Sequence, residues 1–382
     1  MKTFVFTGGG TGGHIYPGVA VVEEMRTILK KKNITRHFQF IWIGSNNGSD
    51  KNIVEKSGSI DKFYGIPSGK FRRYFSFKNL FDIFKIIFGF FSAFFLLLKI
   101  KPDFLFSKGG FVSVPPCVAA KLLKIPVYTH ECDFSPGLAT KINKIFATKI
   151  MLSYEDTKKF FDVSFNNKII VTGNPVRSAF FNANAEAGKN FLQIASLSEK
   201  KKKLPILLVI GGSLGSRQIN NLVWENIEWL CENFIVVHQC GNDDIEMANA
   251  KKSEKAIENY LIYSFIYTEM ADVMQAADVV LSRAGANFLW ECAVCKKPMI
   301  LVPLSRSGSR GDQIENADFF AKNGVAFVLN GNDVNAENLQ DKLTKLLNVN
   351  IRNEMSENYN KICAEIRSAE KIAQIILDEV LK

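Results

Sequence analysis

The segment Gly8-Gly9-Gly10-Thr11-Gly12-Gly13-His14 sets one hydroxyl and one imidazole in a glycine-rich turn directly after the apolar run Thr3-Phe4-Val5-Phe6. A helical pattern begins at Pro17. Strand, glycine turn and helix N-terminus together present backbone N–H groups to an anion. His14 adds a group that exchanges a proton near neutral pH, which makes it the leading candidate general base. Two further polar loops follow apolar runs in the same half. Ser107-Lys108-Gly109-Gly110 follows a strand predicted over 103–106, and His130-Glu131-Cys132-Asp133 follows one over 126–129. Glu131 and Asp133 are rival bases. In the second half, Gly211-Gly212-Ser213-Leu214-Gly215-Ser216-Arg217 closes a strand over 205–210. Ala286 and Asn287 open a helix whose N–H groups suit a diphosphate, and Glu291 can accept from two vicinal hydroxyls. The stretch 306–317 carries two arginines, a cap candidate in Asp312, and the amides of Gln313 and Asn316, which suit sugar hydroxyls.

Such loops need a scaffold that gathers them. Strands are predicted over 3–7, 38–43, 103–106, 126–129, 148–152 and 169–171. Helices over 17–31, 50–57, 79–99, 112–123 and 136–145 alternate with them, and 58–78 reads as a loop. The second half repeats the logic, with strands over 205–210, 234–238, 260–264, 279–281, 299–302 and 325–328 and a helix over 217–231. Alternation of this kind makes parallel sheets covered on both faces, with ligand loops at the carboxyl ends of the strands. The fold class is therefore α/β: two doubly wound, Rossmann-like domains facing a cleft. The expected boundaries are 1–174 and 175–360, with a last helix in 361–382 that returns to the N-terminal domain.

The 382 residues, 47% of them hydrophobic at a mean hydropathy of +0.02, suit two folded cores. A net charge of +10 suits an anionic partner. Seven cysteines at irregular spacing read as reduced thiols, and Cys292-Ala-Val-Cys295 as buried helix positions without a second pair to complete a metal site. The first residues show no signal-peptide pattern. The most apolar stretch, Ile86 to Leu98 between Lys85 and Lys99, spans roughly 20 Å as a helix, short of a ~30 Å hydrocarbon core, so a cytoplasmic protein is expected. Phe71, Arg72, Arg73, Phe75, Phe77 and Phe81 interleave cations and aromatics at the start of this stretch. Contact with an anionic membrane surface, rather than nucleic acid, fits them best, with burial in the core as the plain alternative. The first turn also fits the GxGxxG of a dinucleotide site. That site needs an acid at the end of the second strand, and 38–43 ends in Gly44-Ser45-Asn46.

The ordered set GGGTGGHIYPG (8–18), KGGFVSVP (108–115), HECDFSPGLATK (130–141), GNPVR (173–177), GGSLGSRQIN (211–220), RAGANFLWE (283–291) and RGDQIENA (310–317) resembles the MurG family nearly end to end. The resemblance implies a GT-B fold at the cytoplasmic face of the cell membrane, bound peripherally. It implies transfer of GlcNAc from UDP-GlcNAc to the C4 hydroxyl of MurNAc in lipid I, the undecaprenyl-diphosphate-linked MurNAc-peptide, with inversion and release of UDP, and with no metal or other cofactor. By match to the family pattern, Thr11, Gly12 and Gly13 lie near the donor sugar, Arg177 and Ser213 near the nucleotide and its phosphates, and Ile266 near the uracil. Ala286, Asn287, Phe288, Leu289 and Glu291 hold phosphate and ribose, and Gln313 contacts the sugar. Asp133 departs from the pattern, standing where the family commonly has asparagine. An ionised aspartate accepts hydrogen bonds but donates none, so its role is open between sugar acceptor and share of the base.

The chemistry fits the residues without the family. The attacking hydroxyl loses a proton, which His14 can take, and helix N-termini and arginine can stabilise the charge on the leaving UDP. Three alternatives remain. A 2-epimerase-like enzyme of similar fold acting on UDP-GlcNAc alone has no need of the Phe-rich basic patch. A nicotinamide-dependent oxidoreductase is opposed by the missing acid. A non-catalytic nucleotide-sugar-binding module would bind UDP-GlcNAc and release no UDP.

Overall fold

A computed structural model describes residues 2–10, 12–34, 37–69, 77–212, 214–306, 310–362 and 367–381. The chain forms two compact units: unit 1 is Met1–Arg177 with Arg367–Lys382, and unit 2 is Ser178–Ile366.

Unit 1 carries the parallel strands β1 (Lys2–Thr7), β2 (Phe38–Ser45), β3 (Lys62–Ile66), β4 (Phe104–Ser107), β5 (Val127–Glu131), β6 (Lys149–Leu152) and β7 (Ile169–Val171). Their order in the sheet is β3-β2-β1-β4-β5-β6-β7. The central strands read as unbroken apolar runs because both faces are covered. Phe4 and Phe6 turn one way, into a core shared with Val19, Val22 and Met25 of helix α1 (Tyr16–Lys31). Val5 and Leu105 turn the other way, and pack with Ala93 and Leu97 of a later helix and with Cys117 and Ala120 of the next. Those helices are α3 (Phe77–Ile100) and α4 (Val114–Leu122); α2 (Asp50–Lys56) follows β2, and α5 (Leu138–Phe146) follows β5.

The C-terminal helix, Ser368–Val380, completes unit 1. Ala369, Ile372, Ala373, Ile376 and Leu377 are buried in the same core as Phe4 and Met25. Lys371 Nζ donates to the Val171 carbonyl at 2.8 Å. The division of the chain differs from the expected one at both joints. It falls after Arg177 rather than Asn174, because Val176 is buried and the Arg177 guanidinium lies over the Tyr16 ring at 5.3 Å. Residues 361–362 belong to a turn of unit 2, Tyr359–Ile362.

Unit 2 has the parallel strands β8 (Ile206–Ile210), β9 (Ile235–Gln239), β10 (Tyr260–Tyr263), β11 (Val279–Ser282), β12 (Met299–Leu301) and β13 (Ala326–Val328), in the order β10-β9-β8-β11-β12-β13. In each sheet the order reverses beside the first strand. Thr7 of β1 pairs with Ser107 of β4, and Ile210 of β8 pairs with Ser282 of β11. The loops leaving these strands therefore lie side by side at a switch point, where open α/β sheets bind ligands.

Several expectations are corrected. The stretch 58–78 holds β3, an edge strand paired only with β2, whose Lys62, Tyr64 and Gly65 hide the apolar signal. Helix 112–123 is a 3-10 turn, Phe111–Ser113, followed by α4, which Pro115 and Pro116 open. Helix 217–231 breaks at Asn226, whose side chain donates back to the Leu222 carbonyl at 2.7 Å. Helix α3 runs 24 residues, about 36 Å. Its Asp82–Ile100 stretch, at mean hydropathy 2.2, is long and apolar enough to cross a membrane, which overturns the length comparison made for 86–98. One face of α3 nevertheless lies in the core, through Ala93 and Leu97, while Phe84, Phe88, Phe91 and Phe95 of the other are at least half exposed.

Candidate active site

In unit 1 the turn after β1 is held at three points. The Gly8 carbonyl accepts the Trp42 indole N–H at 3.0 Å. The Gly10 N–H, at φ +86°, meets both carboxylate oxygens of Asp50 at 3.1 and 3.2 Å. His14 Nδ1 lies 3.3 Å from the Lys108 carbonyl of the neighbouring turn. A carbonyl only accepts, so Nδ1 carries the proton in that bond and the ring's lone pair sits on Nε2, the tautomer a general base needs. Gly12 and Gly13 form a 3-10 turn with His14, and the imidazole is half-buried. The two turns fit closely: a Cβ on Gly110 would stand 2.6 Å from the Gly9 carbonyl and 3.0 Å from His14 Cδ2. Thr11 lies outside the described residues.

The His130-Glu131 pair is not a loop pair. Both residues belong to β5 and are buried. His130 Nδ1 meets the buried Lys108 ammonium at 3.0 Å, and Nε2 meets the Gly173 carbonyl at 3.0 Å. Burial, and then the Lys108 charge, hold the His130 pKa well below its usual value, so the ring is neutral and Nε2–H donates to Gly173. Glu131 spends its oxygens on the backbone, accepting the Asp133 N–H at 3.0 Å and the Gly137 N–H at 2.9 Å. This corrects the expectation of Glu131 as a base: its carboxylate fixes the loop. Cys132 Sγ and one carboxylate oxygen each of Glu131 and Asp133 lie within 4.8 Å of one another, but the bonds of Glu131 give that grouping a structural reason. Asp133 is half-buried at the edge of the loop that Glu131 holds.

In unit 2 the turn after β8 is open. Gly212 has φ +106° and nothing within 4 Å of a Cβ placed on it, and Leu214 is exposed. Gln239, at the end of β9, donates to the Gly212 carbonyl at 3.2 Å and accepts the Ile266 N–H at 2.9 Å. The Ile266 side chain is buried. Helix Ala286–Val294 starts at Gly285 with no side-chain cap, and its N-terminal end carries the positive pole of the helix dipole. Asn287, Phe288 and Glu291 are half-buried. Leu289 is fully buried and its N–H donates to the Gly285 carbonyl, so its expected ligand contact is corrected to a core role. Gln313 Oε1 accepts the Leu304 N–H at 3.0 Å, which aims its amide from the loop after β12. Gly311, not Asp312, is the cap of helix Asp312–Lys322; Asp312 instead faces Arg310 Nε at 3.4 Å. Ser213 and residues 307–309 lie outside the described residues. So do Phe71, Arg72, Arg73 and Phe75, while Phe77 and Phe81 belong to α3.

The residues missed in the sequence are Asp50, Lys108 and Gln239. Asp50 had a signal: an acid at the start of the helix that follows β2, a few residues beyond the strand end where an acid was sought. Cys292 and Cys295 are buried thiols, with Cys295 pushed up to about 12 by burial.

Two doubly wound parallel-sheet units, each with a glycine turn at its switch point, make a GT-B fold, and two family models define the class as glycosyltransferase. The description "Glycosyltransferase family 28 N-terminal domain" matches residues 4–152, and "Glycosyltransferase family 28 C-terminal domain" matches 206–374. A Treponema denticola protein named UDP-N-acetylglucosamine--N-acetylmuramyl-(pentapeptide) pyrophosphoryl-undecaprenol N-acetylglucosamine transferase is 53% identical over 87% of this chain and 85% of its own. The crystal structure of Acinetobacter baumannii MurG is 25% identical, covers 99% of this chain and 100% of its own, and superposes at TM-score 0.71. A UDP-GlcNAc 2-epimerase from Methanocaldococcus jannaschii, 16% identical at TM-score 0.65 over 98% of this chain and 99% of its own, shares the fold alone. The chain belongs to the MurG family within glycosyltransferase family 28.

Proposed function

We propose that this enzyme transfers GlcNAc from UDP-GlcNAc to the C4 hydroxyl of MurNAc in lipid I, giving lipid II and UDP in peptidoglycan synthesis. The observation that carries the chemistry is His14, whose Nδ1 is committed to the Lys108 carbonyl so that Nε2 can take the hydroxyl proton. Unit 2 holds the donor: the helix start at Ala286–Asn287 faces the diphosphate, Glu291 the ribose hydroxyls, Gln313 the sugar, and the Ile266 segment the uracil, while Arg177, which belongs to unit 1, supplies a cation for the nucleotide phosphates. Gly12 and Gly13 border the sugar being transferred, and Asp133 accepts from one of its hydroxyls. Charge building on the leaving UDP is met by oriented N–H groups. Radiolabelled UDP-GlcNAc supplied with a lipid I analogue should yield a labelled disaccharide lipid and UDP in equal amounts. UDP release without acceptor labelling, or an epimerised sugar nucleotide, would sink this reading.

We infer that the acceptor is met at the cytoplasmic face of the cell membrane. The exposed face of α3, with Phe84, Phe88, Phe91 and Phe95, is an apolar surface anchored to the core from behind, as an interfacial helix requires. The preceding Phe71, Arg72, Arg73 and Phe75 add cations for anionic headgroups. Replacing Phe84, Phe88 and Phe95 by serine should cut co-sedimentation with phosphatidylglycerol vesicles by about tenfold or more while leaving UDP binding intact. Unaltered vesicle binding would remove α3 from the role.

A further inference from the structure

In a strand–glycine turn–helix unit the exposed N–H groups usually wait for an outside anion, most often a phosphate. The turn after β1 has one of its own. Asp50, the first residue of α2, is 1% exposed. Its carboxylate accepts the Gly10 N–H at 3.1 and 3.2 Å and the Ser45 N–H at 2.9 Å. A Cβ on Gly9 would overlap Asp50 Oδ2, so the glycine there makes room for the acid. Among the described residues no cation pairs with Asp50, and the charge rests on backbone N–H groups. We propose that Asp50 is a positioning residue whose carboxylate is the turn's built-in anion, seating the Gly8–His14 segment and with it the His14 ring.

Trp42 at Gly8, Asp50 at Gly10 and the Lys108 carbonyl at His14 all hold that segment. Asp50 is the charged one and sits between the other two. Beyond Gly10 the Ile15 N–H closes on the Gly12 carbonyl at 3.0 Å and the His14 ring reaches Lys108. Loss of the carboxylate leaves the Gly10 and Ser45 N–H groups without their acceptor and lets the turn relax. Burial raises the Asp50 pKa above the usual carboxylate value, and the Ser45 and Gly10 N–H groups offset part of that rise.

The proposal rests on the base role given to His14 above, and the test separates the two. In the full-length chain, Asp50→Ala should lower kcat by about 10- to 100-fold with the KM for UDP-GlcNAc within about twofold of wild type. Added formate, a carboxylate small enough for the vacated space, should restore part of the lost kcat, and chloride at equal ionic strength should not. The His14 ring resonance, followed by NMR in the same protein without substrate, should move in Asp50→Ala and return with formate. Wild-type kcat, a loss that formate does not repair, or an unmoved His14 resonance would each overturn the proposal. Asp50→Asn keeps the size and serves if the alanine variant fails to fold. It should lose kcat to a similar degree and gain nothing from formate, and full activity in it would overturn the proposal. A wild-type chain with no transferase activity would defeat the functional reading, while the NMR shift would still decide the place of Asp50.

Discussion

The two glycine turns grow from the same local plan and end with opposite electrostatics. The turn after β1 is tied down: Asp50 accepts its Gly10 N–H, Trp42 donates to its Gly8 carbonyl, and Phe111 packs on Gly10. The turn after β8 is open. Among the described residues no carboxylate reaches the N–H groups of 211–216, and its one side-chain tie on the carbonyl side is the neutral amide of Gln239. An internal anion excludes an external one, so a closed turn suits a fixed catalytic group. An open turn beside an uncapped helix start suits a diphosphate that comes and goes. Strand–turn–helix geometry is alike in the two turns, and the buried carboxylate at Gly10 is what distinguishes them.

The sharpest way to break this contrast is to disable each side. His14→Ala should lower kcat by about 10²–10⁴ with UDP binding by calorimetry unchanged. Glu291→Ala should act on binding, raising the KM for UDP-GlcNAc by about 10- to 100-fold, as loss of a hydrogen bond to a charged group does, with a smaller change in kcat. Exchanged patterns would end the division of labour between the units. Next in size is a paired backbone test. Gly212→Ala meets only the left-handed penalty of about 1–2 kcal/mol, since space around it is open. Gly10→Ala meets that penalty and also Phe111 Cε1 at 2.5 Å, which adds roughly 1–3 kcal/mol of overpacking. Urea unfolding should rank Gly10→Ala as the more damaging, and equal losses would mean the first turn is no tighter than the second.

The smallest effect concerns what the units share. Each buries a neutral histidine at its sheet. His238, between the Tyr260 hydroxyl at 2.7 Å and Asn220 Oδ1 at 3.0 Å, is lowered by burial to about 3, and His130 is likewise held well below 6.5. The unfolded chain takes up these protons near pH 6.5 and the folded chain does not. Stability is therefore full above that pH and falls as pH drops from 6.5 towards 3, by up to about 1.4 kcal/mol per pH unit for each histidine. The slope measured in wild type should flatten in His238→Gln, and an unchanged slope would show that the folded ring is charged.

Much of this was legible in the residues. Central strands such as β1, β4 and β8 are unbroken apolar runs because they are covered twice, and glycine with proline marked their ends. His14 stood out as a candidate because an imidazole beside a glycine turn has few structural reasons to be there. The edge strand β3 was not, since a strand paired on one side needs no apolar run. Glu131 was misassigned because β5 runs two residues further than its apolar signal, carrying His130 and Glu131 into the interior. The length of α3 was underestimated by counting only its most apolar stretch.

By itself the sequence determined the two doubly wound domains, the loops that carry polar chemistry and the family, because strand and helix periodicity and ordered motifs are local in the chain. Tertiary structure alone decided which polar groups meet: Asp50 with Gly10 across 40 positions, Lys108 with His130 and His14, and the C-terminal helix with β1 at the far end of the chain. Those pairings depend on sheet order and on which buried charge lacks another partner. Neither is written in the spacing of the residues.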